Sequence, residues 1–131
     1  MRRALFASLG FLASAGIASA ATLDGRWSLF AADCALEISD GILTIDTTAG
    51  FLRYWESECT INSLTPVGTF EAVWQAQMSC SGEGQFWQRD MLLAIDVPLD
   101  GDGTPRLIEI DLGDGFVVSR AFCGSAAAPR K

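Results

Sequence analysis

The chain contains no histidine. A Ser-His-Asp triad is excluded, and the commonest general base is missing. Lysine is almost as scarce. The only one is Lys131, the last residue, so a serine–lysine dyad would have to draw on the terminus. No C-x-x-C pair occurs among the four cysteines, which together with the lack of histidine argues against a zinc site. Past residue 20, no stretch approaches the roughly 18 apolar residues of a membrane-spanning helix. Internal repeats, low-complexity runs and interdomain linkers are absent, and no helical period is visible beyond the N-terminal segment.

What is present begins with an export signal. Met1-Arg2-Arg3 is a positive start, residues 4–17 are apolar apart from Ser8 and Ser14, and Ala18-Ser19-Ala20 is a small-x-small cleavage site. Residues 1–20 therefore read as a signal peptide, leaving a single β domain over 21–124 and a loose tail over 125–131. Removing Arg2 and Arg3 leaves seven basic residues against sixteen acidic ones, a net charge of −9. Such a surface repels phosphate backbones, so no nucleic acid is expected as a partner, while cationic partners are favoured. Periplasmic or secreted localisation follows, without stable membrane insertion after cleavage. In that compartment Cys34, Cys59, Cys80 and Cys123 are expected to form two disulfides.

The dominant pattern between Leu23 and Cys123 is period-two alternation, punctuated by Gly, Asp and Pro every 8–12 residues or so. Residues 34–46 read as a hairpin turning at Asp40-Gly41, with Ile38 opposite Leu43 and Leu36 opposite Ile45. Residues 51–61 read as one long strand. In 70–80, Phe70, Ala72, Trp74, Ala76, Met78 and Cys80 share a face. After the Ser81-Gly82-Glu83-Gly84 turn, Trp87, Met91, Leu93 and Ile95 share a face with Arg89. In 106–112, Ile108, Ile110 and Leu112 oppose Glu109 and Asp111. With 23–31 and 116–122 this makes about eight strands. The expected fold class is all-β, a small antiparallel up-and-down barrel with two disulfides; a two-sheet β-sandwich is the alternative. Following strand directions around a simple meander favours the pairing Cys34–Cys80 with Cys59–Cys123. A bend near Glu56 would change that geometry.

The opening Leu23-Asp24-Gly25-Arg26-Trp27 resembles the G-x-W start of lipocalin-like barrels and of small periplasmic barrels that inhibit bacterial metalloproteases. The resemblance implies a barrel with the tryptophan plugging one end. The threonine-aspartate-tyrosine signature of lipocalins is absent. The inhibitory N-terminal trunk of the protease inhibitors has no counterpart in residues 21–23, and those inhibitors typically carry one disulfide rather than two. The resemblance therefore transfers no functional residue.

Carboxylates are the remaining chemistry. On an extended strand Glu56 and Glu58 point the same way, roughly 7 Å apart, a spacing open to an inverting glycosidase. A solvated strand face explains the same pair more simply. The Asp100-Gly101-Asp102-Gly103-Thr104 run resembles the start of a calcium loop. Counting from Asp100, however, the sixth and twelfth positions hold Pro105 and Asp111, where an EF-hand needs Gly and Glu. A plain acidic loop is expected, with no metal and no cofactor. Trp27, Trp55, Trp74 and Trp87 could line a ligand cavity, but barrels of this size are readily filled by side chains. The expectation is a non-enzymatic inhibitor or binding module for a protein partner, with a cationic one favoured by charge. A small apolar-ligand carrier is the alternative, and a carboxylate-based hydrolase a remote one.

Overall fold

The computed structural model describes residues 22–125, so the expected signal peptide and all of the expected tail except Ser125 lie outside the described residues. The described chain is a closed antiparallel meander of eight strands. They are β1 (Gly25–Ser28), β2 (Ile42–Asp46), β3 (Phe51–Arg53), β4 (Ser57–Pro66), β5 (Val73–Gly82), β6 (Gln85–Asp96), β7 (Arg106–Asp111) and β8 (Val117–Gly124). One short 3-10 helix, Ala31–Ala35, follows β1. Each strand pairs with its neighbours in sequence, and β8 closes on β1 through a bulge at Arg26/Trp27. In this meander the β1–β2, β3–β4, β5–β6 and β7–β8 connections gather at one end, called here the mouth.

Alternation places Trp27, Leu43, Ile45, Leu52, Met78, Met91, Leu93 and Leu107 inside the barrel, all essentially inaccessible to water. The indole N–H of Trp27 donates to the Leu23 carbonyl at 2.8 Å, which satisfies its one polar atom while the ring packs on Phe122. Burying side chains of this size is worth about 1.5–3 kcal/mol each. Together they form one contiguous buried apolar cluster.

Three expectations are corrected. First, residues 34–46 are not a hairpin. Trp27 pairs with Leu43 and Gly25 with Ile45, so β1 occupies the place expected for residues 36–38. Trp27 buries more apolar surface there than Leu36 or Ile38 could, and both of these are exposed. The Asp40-Gly41 turn exists, closed by Ile42 N–H donating to the Ser39 carbonyl, but neither central residue has the positive φ of a type I′ turn. Second, residues 51–61 are two strands. Trp55-Glu56 is the tip of a tight hairpin, closed by Tyr54 N–H to the Ser57 carbonyl at 2.8 Å.

Third, the disulfides are Cys34–Cys123 and Cys59–Cys80, not Cys34–Cys80 and Cys59–Cys123. The two earlier corrections cause this one. The break at Trp55-Glu56 puts Cys59 near the mouth end of β4, directly opposite Cys80 at the mouth end of β5. Cys34, released from any strand, lies in the 3-10 helix and reaches Cys123 on β8. There it staples the β1–β2 connection across the seam where the barrel closes.

Candidate functional site

The mouth carries an inward-facing polar layer above the apolar core. β7 buries Leu107, Glu109 and Asp111 and leaves Ile108 and Ile110 half-buried outside, the reverse of an apolar-inward reading of 106–112. The reason is charge pairing. β6 directs Arg89 and β8 directs Arg120 to the same side, and each needs an anion. Arg120 pairs with Glu109, which is 1% exposed, and donates through Nη1 to the Gly41 carbonyl at 2.6 Å. The Tyr54 hydroxyl donates to the other Glu109 oxygen at 2.9 Å. Arg89 donates from Nε and Nη2 to Asp111 Oδ2, both at 3.1 Å. The second Asp111 oxygen accepts the backbone N–H groups of Gly113 and Asp114 at 2.9 Å. The Arg89 guanidinium also lies over the rings of Tyr54 and Phe116, 5.5 and 5.3 Å from their centroids.

The network joins the β1–β2 connection through Gly41, the β3–β4 tip through Tyr54 and the β7–β8 turn through Asp111. No buried side-chain polar atom among the described residues lacks a partner, so the layer is fully satisfied and rigid. Burial, and then the charge of Glu109, push the Tyr54 hydroxyl well above its ordinary pKa, so it serves as a fixed neutral donor. Hydrogen bonds from the β7–β8 turn, aided by Arg89, hold Asp111 below the usual carboxylate range despite its burial.

Exposed aromatics surround this layer. Phe86 is 86% exposed, and Trp55, Trp87 and Phe116 also present large areas to solvent. A groove of about 590 Å³ runs along β6 at Trp87, Gln88, Arg89 and Asp90, bounded on one side by Gln77 and Asn62 of the outer sheet face and on the other by Asp114 and Phe116 of the β7–β8 turn. Beside it a smaller notch of about 370 Å³ combines Trp87 with Glu56 and Glu83. Aromatic faces flanked by carboxylates, over a water-poor floor, form a surface suited to cationic and amphipathic groups.

The residues singled out from sequence are dispersed. Trp27 is core and Trp74 is partly buried against it, whereas Trp55 and Trp87 stand at the mouth. Glu56 and Glu58 do not share a strand. Glu56 is at the β3–β4 tip, and Glu58 on β4 is paired with Arg53 at 2.8 Å. In the exposed 97–105 loop, Asp102 accepts the Thr104 N–H at 2.9 Å, and its carboxyl is held below the usual range by hydrogen bonds from Thr104. The mouth residues Tyr54, Glu109, Asp111 and Arg120 were not anticipated. The available signal was Arg89 on an otherwise apolar strand face, which requires a buried anion nearby.

Comparison of the chain with protein-family models, with curated proteins and with solved structures gives no match.

Proposed function

We propose that this protein is an exported, non-enzymatic binding or inhibitory module whose barrel mouth engages a protein partner of basic character. The carrying observation is the mouth itself: exposed aromatics and carboxylates standing on a rigid, fully paired polar layer. Two disulfides fit an oxidising compartment, and no helix among the described residues is long and apolar enough to cross a membrane. The carboxylates best placed for chemistry are already committed, Glu109 to Arg120, Asp111 to Arg89 and Glu58 to Arg53. The cluster of large apolar side chains inside the barrel favours surface recognition over carriage of an apolar ligand.

The test is binding of the 21–131 chain to a basic secreted hydrolase such as a lysozyme, by calorimetry across a salt series. Binding should be measurable at low salt and lost near 1 M, where the screening length falls to about 3 Å. Trp87→Ala should weaken it at least tenfold, a loss of about 1.4 kcal/mol. Binding indifferent to both salt and Trp87 would overturn the reading.

A further inference from the structure

Unequal strand lengths leave several stretches of the closed barrel paired on one side only, among them residues 62–66 of β4, 117–120 of β8 and the mouth half of β6. β6 runs from Gln85 to Asp96, but its ladder to β7 begins only at Met91, opposite Asp111. The mouth half of β6 therefore overhangs its neighbour and is paired on the β5 side alone. Which backbone groups face the open side follows from the hairpin. Its tip is Glu83-Gly84, both at positive φ, so Gly82 and Gln85 flank a two-residue turn and exchange hydrogen bonds. Bonding alternates from there, so Gln85, Trp87 and Arg89 face β5, while Phe86, Gln88 and Asp90 face outward. Leu112 N–H donating to the Asp90 carbonyl at 2.9 Å confirms the parity. Above Asp90, the N–H and C=O of Phe86 and Gln88 point where no strand lies.

The 590 Å³ groove lies at this edge. Consecutive strand residues point to opposite faces, so a groove touching Trp87, Gln88, Arg89 and Asp90 together passes the strand's open side, between the outer face at Gln77 and Asn62 and the β7–β8 turn at Asp114 and Phe116. Its charge is one-sided. Arg89 is neutralised by Asp111, leaving Asp90 and Asp114, with Glu83 at the hairpin tip. Phe86 and Phe116 add apolar surface on either side.

We infer that the mouth half of β6, Phe86–Asp90, binds an extended basic segment of a partner protein by strand addition. Backbone bonds to Phe86 and Gln88 would supply affinity, and the carboxylates beside them would select for Lys or Arg. A second copy of this chain is the competing occupant of any free edge. Edge-to-edge pairing would bring two sets of Asp90, Asp114 and Glu83 together, so charge favours a basic foreign segment. The inference rests on the cationic-partner reading above and adds to it a mode of contact.

The experiment uses three short synthetic peptides: an alternating Lys-Thr sequence, its Glu-Thr counterpart, and the Lys-Thr sequence N-methylated at alternate backbone nitrogens. Affinity and amide hydrogen exchange of the ¹⁵N-labelled 21–131 chain are measured, with lysozyme binding in parallel. The Lys-Thr peptide should bind and slow exchange at Phe86 and Gln88. N-methylation should weaken it about tenfold, and the Glu-Thr peptide should not bind. Gln88→Pro removes an outward N–H without touching the β5 ladder, and should lower Lys-Thr affinity in a chain whose melting curve shows it folded. Equal binding of the methylated peptide, without protection at Phe86 and Gln88, would overturn strand addition while leaving a cation-binding mouth in place. Lysozyme binding without any binding of the Lys-Thr peptide would do the same. Protection of both amides at high protein concentration with no peptide present would assign the edge to a second copy and overturn the inference.

Discussion

Glu109 is the residue on which the mouth depends. It takes one hydrogen bond from Tyr54 and another from Arg120, while Arg120 in turn holds the Gly41 carbonyl. A buried pair of this kind contributes modestly when intact and costs a great deal when halved. Glu109→Gln leaves the Arg120 charge buried without its counter-ion, and should destabilise the domain by about 3–5 kcal/mol in urea unfolding. The triple replacement Tyr54→Phe, Glu109→Leu, Arg120→Met removes donor, acceptor and charge together and should recover most of that loss. Tyr54 carries a second, pH-linked prediction. Its folded-state pKa is raised above the unfolded value by burial and by Glu109. The stability it contributes is therefore complete below about pH 10, the unfolded value, and is lost as pH rises through the folded one. Stability measured against pH should decline above pH 10 in the native chain and decline less in Tyr54→Phe. A native profile that is flat there would contradict the buried setting of the hydroxyl.

At the level of elements, much of the sheet was legible from alternation. Residues Trp87, Arg89, Met91 and Leu93 do share the inner face of β6, and Ala76, Met78 and Cys80 that of β5. Alternation misled where both faces are apolar or where charge is inside. On β7 the outward residues Ile108 and Ile110 meet Ala94, Leu92 and Val117 across neighbouring strands. Those cross-strand apolar contacts stabilise the outer face while the arginines claim the inner one, so period two alone could not assign inside. The Trp55-Glu56 tip was hidden because neither residue is a turn former. Its tightness is recorded instead in a partner, Gly82. A Cβ there would lie 2.5 Å from the Glu56 carbonyl oxygen and 2.8 Å from the Ser57 Cβ. Gly82→Ala should therefore push the two mouth hairpins apart and cost about 1–3 kcal/mol. At Gly84, by contrast, a Cβ meets nothing within 4 Å, so Gly84→Ala should cost only the roughly 1–2 kcal/mol of a side chain at positive φ. Thermal melts of the two variants compare these costs directly.

Across the whole molecule, the two disulfides do different work. Cys59–Cys80 joins adjacent strands that are already paired over most of their length, at a sequence separation of 21. Cys34–Cys123 spans 89 residues and crosses the seam that closes the barrel, where β1 offers only four residues and its pairing with β8 is broken by a bulge. In the chain-entropy account, loops of these lengths stabilise by roughly 3.3 and 4.6 kcal/mol respectively. Geometry widens the gap. Without Cys34–Cys123 the 3-10 helix is held to the barrel mainly by the Arg26 guanidinium on the Leu36 carbonyl, at 2.8 Å. The β1–β8 seam is then free to open, and opening it exposes Trp27. Burial works in the other direction, because Cys59 and Cys80 are core residues whose truncation leaves a void. Replacing each pair therefore sets closure entropy at the seam against a small core void at the mouth. Changing Cys34 and Cys123 to Ser should cost more than changing Cys59 and Cys80 to Ala, by about 1 kcal/mol or more in denaturant unfolding. It should also accelerate amide exchange at Trp27 and Phe122, while exchange in β5 and β6 follows only the global loss. If the Cys59–Cys80 variant proves the less stable, core packing at the mouth outweighs closure of the seam as the principal contribution of the disulfides.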